Sequence, residues 1–440
     1  MVYSLLGFGV SNKAVLEFFI KRKEKVFVSE KRKLSFEEKE YLEKLNIPYE
    51  EGSHTEKALN CDVIVVSPGI NPEIDIIKKA KKKGIPITTE FQIFLENASN
   101  LLEKVIGVTG TNGKSTTVSM LGYLLKKFGK KVFVGGNLGT PSIKALDEAY
   151  DYIVLEISSF QLFWTKKPKL KLFTVLNIKP DHLDWHKSFE EYILSKMKPT
   201  FFMENNDKFF FNGRDRFIKP YLNDIKAIKI PFWSDMYTWE DECIKLKGKK
   251  YNVVNGALKT EQNKENVLAV LSIMDNLGYD LSISLNHLEE FSFLDNRMEF
   301  LGEWNGIMFF NDSKSTNFSA VETALRNFEN GKVILIMCGI SKKEPDDSLN
   351  SLIDTIKEKA KKVIIFGSMK KVISHALKES SVDVVETRNM EKSVEKALKE
   401  AKMGDVILLS PGGSSFDMYK NYKERGEHFK QIVKKYLKGG

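Results

Sequence analysis

The chain has 440 residues, about three times the ~150 of a typical domain, which excludes a single small module and points to two or three domains. Hydrophobic residues make up 42% and charged residues 29%, with 28 Gly and 12 Pro, so the disordered, collagenous and low-complexity classes are excluded. The 68 Lys and Arg against 59 Asp and Glu give a net charge of +9, spread through short runs such as Lys78 to Lys83 and Lys245 to Lys250 rather than one arm. That distribution suits solvated helix faces and small anions better than a nucleic-acid surface.

In chain order, the apolar run Val2 to Leu6 reads as a strand ending at Gly7. A helical spacing over Lys13 to Lys21 follows, then strands at Lys25 to Val28 and at Val63 to Val66, the last ended by Ser67-Pro68-Gly69. A second series of strands falls at Val105 to Thr109, Val132 to Val134, Tyr152 to Ile157 and Leu172 to Asn177. Between Asp207 and Lys259 the pattern is irregular and aromatic, as in a mixed or antiparallel insert. A third series covers Ile307 to Asn311, Lys332 to Cys338, Val363 to Phe366 and Val406 to Ser410. Strands alternating with helices imply parallel sheets. The expected fold is α/β in three domains, spanning 1–92, 93–296 and 297–440.

No apolar run approaches the ~18 residues that a spanning helix needs, and the N-terminus enters a glycine turn without a basic leader, so a cytoplasmic protein is expected. Cys61, Cys243 and Cys338 form an odd set without metal-like spacing, which argues against a disulfide framework.

The strand Val105 to Thr109 runs into Gly110-Thr111-Asn112-Gly113-Lys114-Ser115-Thr116 and then a helical Val118 to Lys126. Glycines turn backbone N–H groups toward phosphate oxygens, the helix start adds partial positive charge, Lys114 reaches the outer phosphates, and Ser115 can ligate Mg2+. This is a nucleoside triphosphate loop in a shortened spelling, since Val108 stands where the common pattern has glycine. The opening Gly7-Phe8-Gly9-Val10-Ser11-Asn12, with Glu30 at the distance of a ribose-binding acid, leaves an NAD reading available, although Asn12 replaces the third glycine. Glu156 ends a strand near the phosphate loop, where ligands gather, and can hold a metal. His182 is open to a metal or a structural role, with His186 one turn away, and Lys196 reads from composition as one more helix lysine.

The spelling Gly-Thr-Asn-Gly-Lys-Ser-Thr resembles the Mur ligase superfamily, ATP-dependent ligases that build cell-wall peptides, with folate-polyglutamylating relatives. Further tracts follow in order: Gly136-Asn137-Leu138-Gly139-Thr140-Pro141, Glu156-Ile157-Ser158-Ser159-Phe160-Gln161-Leu162, and Asn177 with Asp181-His182-Leu183-Asp184. Then come Asn311-Asp312-Ser313-Lys314-Ser315-Thr316-Asn317 and Ser410-Pro411-Gly412-Gly413-Ser414-Ser415-Phe416-Asp417. Together these look like the branch that joins D-glutamate to UDP-N-acetylmuramoyl-L-alanine through an acyl phosphate, a step of peptidoglycan synthesis.

The resemblance implies a Rossmann-like first domain, a central P-loop ATPase-like domain and a Rossmann-like third domain. ATP would contact Gly110, Thr111, Asn112, Gly113, Lys114, Ser115 and Thr116, together with Asn266, Arg297, Asp312 and Lys314. Mg2+ would be held by Ser115, Glu156, His182 and a carbamylated Lys196, with Lys114, Glu156, His182 and Lys196 as the catalytic set. The UDP substrate would meet Gly7, Val10, Ser11, Ser29, Glu30, Lys31, Ser67, Asn137, Ser158 and His182. D-Glutamate would meet Thr316, Lys342, Ser415, Phe416 and Tyr422.

The sequence departs from the family at Gln262 and Asn296, which replace histidines, and in the loop Cys338-Gly339-Ile340-Ser341-Lys342-Lys343. Dividing ATP and amino-acid contacts between domains implies closure of the third onto the second. The expected protein is a monomer with no nucleic-acid partner. Competing readings are a folate-type or later cell-wall ligase, and a nucleotide-gated nucleic-acid binder.

Overall fold

The computed structural model describes the chain apart from residues 241–242, 293–294, 342–345, 379, 381 and 438–440. Its first sheet holds five parallel strands: β1 (Val2–Leu6), β2 (Lys25–Glu30), β3 (Tyr49–Glu51), β4 (Val63–Val66) and β5 (Ile87–Thr88), in the order β3-β2-β1-β4-β5. Strands β1 and β4 are nearly continuous apolar runs because helices cover both faces. Their register pairs Leu6 with Val66, which brings Gly7 beside Ser67 where the strand order reverses. Asn12, buried at the start of the helix Val10–Lys21, donates to the carbonyls of Leu6 at 2.9 Å, Gly7 at 2.8 Å and Val65 at 3.3 Å. Its amide thus ties the turn together where a dinucleotide fold would have its third glycine.

The central sheet is also wholly parallel. It contains β6 (Val105–Thr109), β7 (Val132–Gly136), β8 (Tyr152–Glu156), β9 (Leu172–Val175), β10 (Lys208–Asn212) and β11 (Ile228–Phe232), ordered β11-β10-β9-β6-β8-β7. The stretch expected as a mixed insert therefore splits. Phe209, Phe210 and Phe211 are buried on a strand that extends the parallel sheet. Only β12 (Tyr237–Glu240), β13 (Cys243–Leu246) and β14 (Lys249–Asn252) form an antiparallel meander. An aromatic run covered on both faces has no alternation, so its strand character was hidden.

The third sheet holds β15 (Glu299–Trp304), β16 (Ile307–Asn311), β17 (Val333–Cys338), β18 (Ala360–Ile365), β19 (Asp383–Glu386) and β20 (Val406–Gly412), in the order β15-β16-β20-β17-β18-β19. Only β15 runs antiparallel to its neighbour. It was not expected, because Glu299, Gly302 and Glu303 interrupt its apolar pattern at a sheet edge.

Helices Lys114–Lys127 and Glu261–Asn276 pack on one face of the central sheet, burying Leu121, Leu124, Val267 and Leu271. The other face receives Phe91 and Phe94 of the helix Glu90–Asn97, while Ile93 of the same helix joins the core of the first lobe. Residue 92 thus lies inside a helix shared by two cores. Burial of a side chain such as Phe94 stabilises by roughly 1.5–3 kcal/mol, so this helix ties the first lobe to the central one.

Candidate active site

The phosphate loop is shaped by its neighbours. Gly113 caps the helix Lys114–Lys127 at φ 83°, and a side chain there would collide with Asn266 Oδ1, so only glycine fits. The Thr111 amide donates to the Asn177 carbonyl and the Asn112 amide to Asn177 Oδ1, both at 2.9 Å, which pins the loop to the segment after β9. Lys114 Nζ donates to the carbonyls of Gly110 and Thr111, both at 2.8 Å. A helix start presenting N–H groups beside a lysine is an anion cradle.

Ser115 Oγ donates to Glu156 Oε2 at 2.5 Å and accepts from Arg297 Nη2 at 2.9 Å, and Asn137 Nδ2 donates to Glu156 Oε1 at 2.7 Å. Burial pushes the Glu156 carboxyl up, but Lys114, the Ser115 hydroxyl, the Asn137 amide and Arg297 together outweigh it and hold the group below the usual carboxylate range. A buried, charged carboxylate beside a hydroxyl is a hard-oxygen donor pair. It fits Mg2+, which takes one or two carboxylates and completes its shell with phosphate oxygens and water.

Lys196 lies on the helix Phe189–Met197 and is 1% exposed. Its Nζ donates to the Gly110 carbonyl at 2.7 Å and lies 4.6 Å from the centre of the Tyr192 ring, one turn earlier. Burial first, and Lys114 second, push its amine well below the ordinary lysine range, while Asp181 and Glu156 act the other way. His182 adopts a left-handed backbone (φ 57°), an uncommon state for a residue with Cβ. Its Nε2 lies 3.5 Å from Asp181 Oδ2, which also accepts from Asn317 Nδ2 at 3.1 Å. His186 is buried among Phe160, Trp185 and Tyr192, with Nε2 3.1 Å from Ser159 Oγ.

From the third lobe, Arg297 is aimed across the joint by left-handed backbone on either side, φ 64° at Asn296 and 44° at Met298. Lys314 Nζ lies 3.8 Å from the centre of the Tyr422 ring. Asp312 does not face the cleft. It is fully buried, accepting from the hydroxyls of Ser315 and Ser410 and from the Met298 amide, and burial pushes its carboxyl up to about 6. Ser415 is buried, whereas Phe416 is 73% exposed. Lys342 lies outside the described residues.

At the first lobe, Gly7 (φ 80°) and Ser67 meet at the strand switch, and Ser67 Oγ is enclosed without a hydrogen-bond partner among the described residues. Val10 and Lys31 are exposed, and Ser11 is partly so. Glu30 accepts from the Phe8 amide at 2.6 Å, which joins the end of β2 to the glycine turn. Ser29, expected at the substrate, is fully buried: it donates to Glu50 Oε1 at 2.6 Å and lies 2.7 Å from His54 Nδ1, because the register sets it opposite Glu50 on β3. Trp185 Nε1 donates to the Gly69 carbonyl at 3.0 Å, linking the Ser67-Pro68-Gly69 turn to the His182 loop.

A cavity of about 250 Å3 gathers Thr111 to Ser115, Asn137, Glu156, Ser158, His182, Lys196, Arg297, Lys314 and Thr316. The same cavity adds Ser159, Phe160, Asp181, Tyr192 and Asn317, which the sequence reading had not singled out as site residues. Tyr192 was within reach, since it sits one helical turn before Lys196. A second cavity of about 210 Å3 lies across the phosphate loop, lined by Asn112, Gly113, Asn266, Glu265 and, from the third lobe, Thr323 and Arg326. Glu265 was missed altogether. It accepts from the amides of Asn177 and Asn212, and burial pushes its carboxyl up to about 7. Among the described residues, Gly7, Val10, Ser11, Ser67, Ser415 and Phe416 line neither cavity.

The site is cationic and acidic at once: Lys114, Arg297 and Lys314 surround a charged Glu156. Such a set can neutralise a transferring phosphoryl group while keeping one carboxylate for a cation.

Comparison with known proteins agrees across the whole chain. Residues 3–76 match the MurD N-terminal domain, residues 108–274 the Mur ligase middle domain, and residues 296–413 the Mur ligase, glutamate ligase domain. A UDP-N-acetylmuramoylalanine--D-glutamate ligase of Thermotoga petrophila is 45% identical over 438 residues, covering 99% of each chain. One of Petrotoga mobilis is 36% identical over 439 residues, covering 99% of this chain and 100% of that one. Among solved structures, UDP-N-acetylmuramate-alanine ligase MurC from Thermotoga maritima aligns over 100% of both chains with a TM-score of 0.61 at 20% identity. MurF ligase from Thermotoga maritima in complex with ADP aligns with a TM-score of 0.61 at 16% identity, covering 94% of this chain and 96% of that one. These two likenesses concern the fold. No helix among the described residues is long and apolar enough to cross a membrane.

Proposed function

The chain belongs to the Mur ligase family, and from that premise we propose that it joins D-glutamate to UDP-N-acetylmuramoyl-L-alanine, converting ATP to ADP and phosphate, in peptidoglycan precursor synthesis. The lobe 1–92 takes the UDP end, 93–296 takes ATP, and 297–440 takes the amino acid.

A carboxylate does not react with an amine until an oxygen becomes a leaving group. Its oxygen attacks the γ-phosphorus, the bond to the β-bridging oxygen breaks, and ADP departs. The D-glutamate ammonium loses one proton, its neutral nitrogen attacks the acyl carbon, the C–O bond breaks so that phosphate leaves with the bonding pair, and the nitrogen gives up a second proton, which the departing phosphate takes. Lys114 and the helix start beneath it bind phosphate oxygens, while Arg297 and Lys314 bring positive charge from the third lobe. Ser115, Glu156, His182 and a carbamylated Lys196 would hold Mg2+, which would supply further charge neutralisation at the phosphates. Burial favours the neutral form of the Lys196 amine, which is the form that would combine with CO2: an N–C bond would form, the nitrogen would release a proton, and an anionic carbamate would stand in place of the amine.

ATP, the UDP-linked substrate and D-glutamate are all water-soluble, which suits a cytoplasmic enzyme, and one chain supplies the cavity, which suits a monomer. The observation that carries this reading is the convergence of Lys114, Glu156, Lys196 and Arg297 on one cavity. Phosphate release from ATP with UDP-N-acetylmuramoyl-L-alanine should require D-glutamate and fail with L-glutamate, D-lysine or no amine. Release that ignores the amino acid would sink the assignment.

A further inference from the structure

The largest fully buried side chain described in the molecule is Arg425, on the helix Tyr422–Leu437 of the third lobe. Its Nε donates to Ser313 Oγ at 3.0 Å, Nη2 to the Ser313 carbonyl at 2.8 Å and Nη1 to the Gly413 carbonyl at 2.9 Å, while Cys338 Sγ lies 4.0 Å from Nη1. Among the described residues no carboxylate stands within ion-pair distance of it. Ser313, Gly413 and Cys338 follow or end β16, β20 and β17, which are adjacent strands. One guanidinium therefore sits beneath three neighbouring strand ends at the carboxyl edge, where an α/β sheet gathers its ligands.

Burying a cation is costly, and hydrogen bonds to neutral acceptors, with the Asp417 carboxylate acting on the guanidinium from beyond ion-pair distance, offset only part of that cost. An apolar residue of similar volume would be the cheaper structural solution. What the guanidinium adds is a planar fork that spans two loops at fixed spacing. The first loop is Asp312 to Thr316, whose Lys314 and Thr316 line the cavity, and the second is Gly412 to Ser415. Ser313 Oγ passes the connection on by donating to the Tyr422 carbonyl at 2.8 Å, so the ring that stacks on Lys314 is held by the same node.

We propose that Arg425 is a positioning residue for the amino-acid substrate: its fork sets the spacing of Lys314, Ser415 and Tyr422. The proposal rests on the D-glutamate reading above.

The test is steady-state kinetics of the full chain, with D-glutamate and UDP-N-acetylmuramoyl-L-alanine varied separately. Arg425→Met should raise the KM for D-glutamate by about tenfold or more while the KM for the UDP substrate stays within about twofold. Arg425→Lys, which keeps the charge but not the fork, should fall between Arg425→Met and wild type. A variant that loses kcat with both KM values unchanged would show a merely structural role and overturn the proposal. If Arg425→Met does not fold, Ser313→Ala removes the hydroxyl that accepts from Arg425 and donates to the Tyr422 carbonyl and should still raise the D-glutamate KM by about threefold, and an unchanged KM refutes the proposal. Wild-type enzyme without D-glutamate-dependent phosphate release would instead defeat the parent assignment.

Discussion

Lys196 Nζ donates to the Gly110 carbonyl oxygen at 2.7 Å, and Lys114 Nζ reaches the same oxygen at 2.8 Å. Two amines thus converge on one acceptor in an enclosed place, and burial, with Lys114 beside it, pushes the Lys196 amine well below the ordinary lysine range. Lys196→Ala should lose activity by at least ~100-fold, since it removes a group argued to act at the metal. Short carboxylic acids added to that variant should restore part of the rate by standing in for the carbamate. A variant that keeps near-wild-type phosphate release would reduce Lys196 to a packing residue.

Arg297 crosses the joint between lobes to reach Ser115 at 2.9 Å. Arg297→Ala should lower kcat/KM for ATP by about 10- to 100-fold, and Arg297→Lys should recover little of it, because a single ammonium cannot reproduce the guanidinium geometry. Equal activity of the lysine variant and wild type would argue for charge alone.

Glu90 is buried at the joint of the first two lobes, accepting from Ser142 Oγ at 2.7 Å and the Ile143 amide at 2.6 Å. Burial pushes its carboxyl up to about 7 from an ordinary 4.5. The folded chain therefore keeps a proton that the unfolded chain has released. The stability this group contributes is greatest below the ordinary carboxylate range, falls as pH rises toward about 7, and is level beyond. Glu90→Gln should remove that slope and be more stable than wild type at pH ~8 by on the order of 3 kcal/mol relative to their difference at pH ~4. Chemical denaturation at the two pH values decides it, and parallel pH dependence in both proteins would refute the assignment.

Trp185 ties the Gly69 carbonyl to the His182 loop. Trp185→Phe keeps a ring against Phe160 and Phe163 but loses the donor, so the KM for the UDP substrate should rise by about two- to tenfold with little change in thermal midpoint. An unchanged KM would mean that this link does not position the first lobe.

The phosphate loop was legible because its chemistry is local: β6, the glycines, the lysine and the helix are consecutive. The strand-ending positions of Gly7, Ser67 and Glu156 were legible for the same reason. Asp312 and Ser29 were read as ligand contacts, yet one is an internal hub and the other is buried against Glu50 and His54. Which way a polar residue at a strand end points depends on the neighbouring strand, not on its own surroundings in the chain.

Sequence alone determined three α/β lobes and a triphosphate cradle, because hydrophobic period and turn chemistry act over a few residues. Only the tertiary structure decided that Arg297 meets Ser115, that Glu265 backs the loop, and that Arg425 lies under three strand ends. These residues are separated by many positions along the chain, and it is strand order and the packing of one lobe on another that bring them within hydrogen-bond reach.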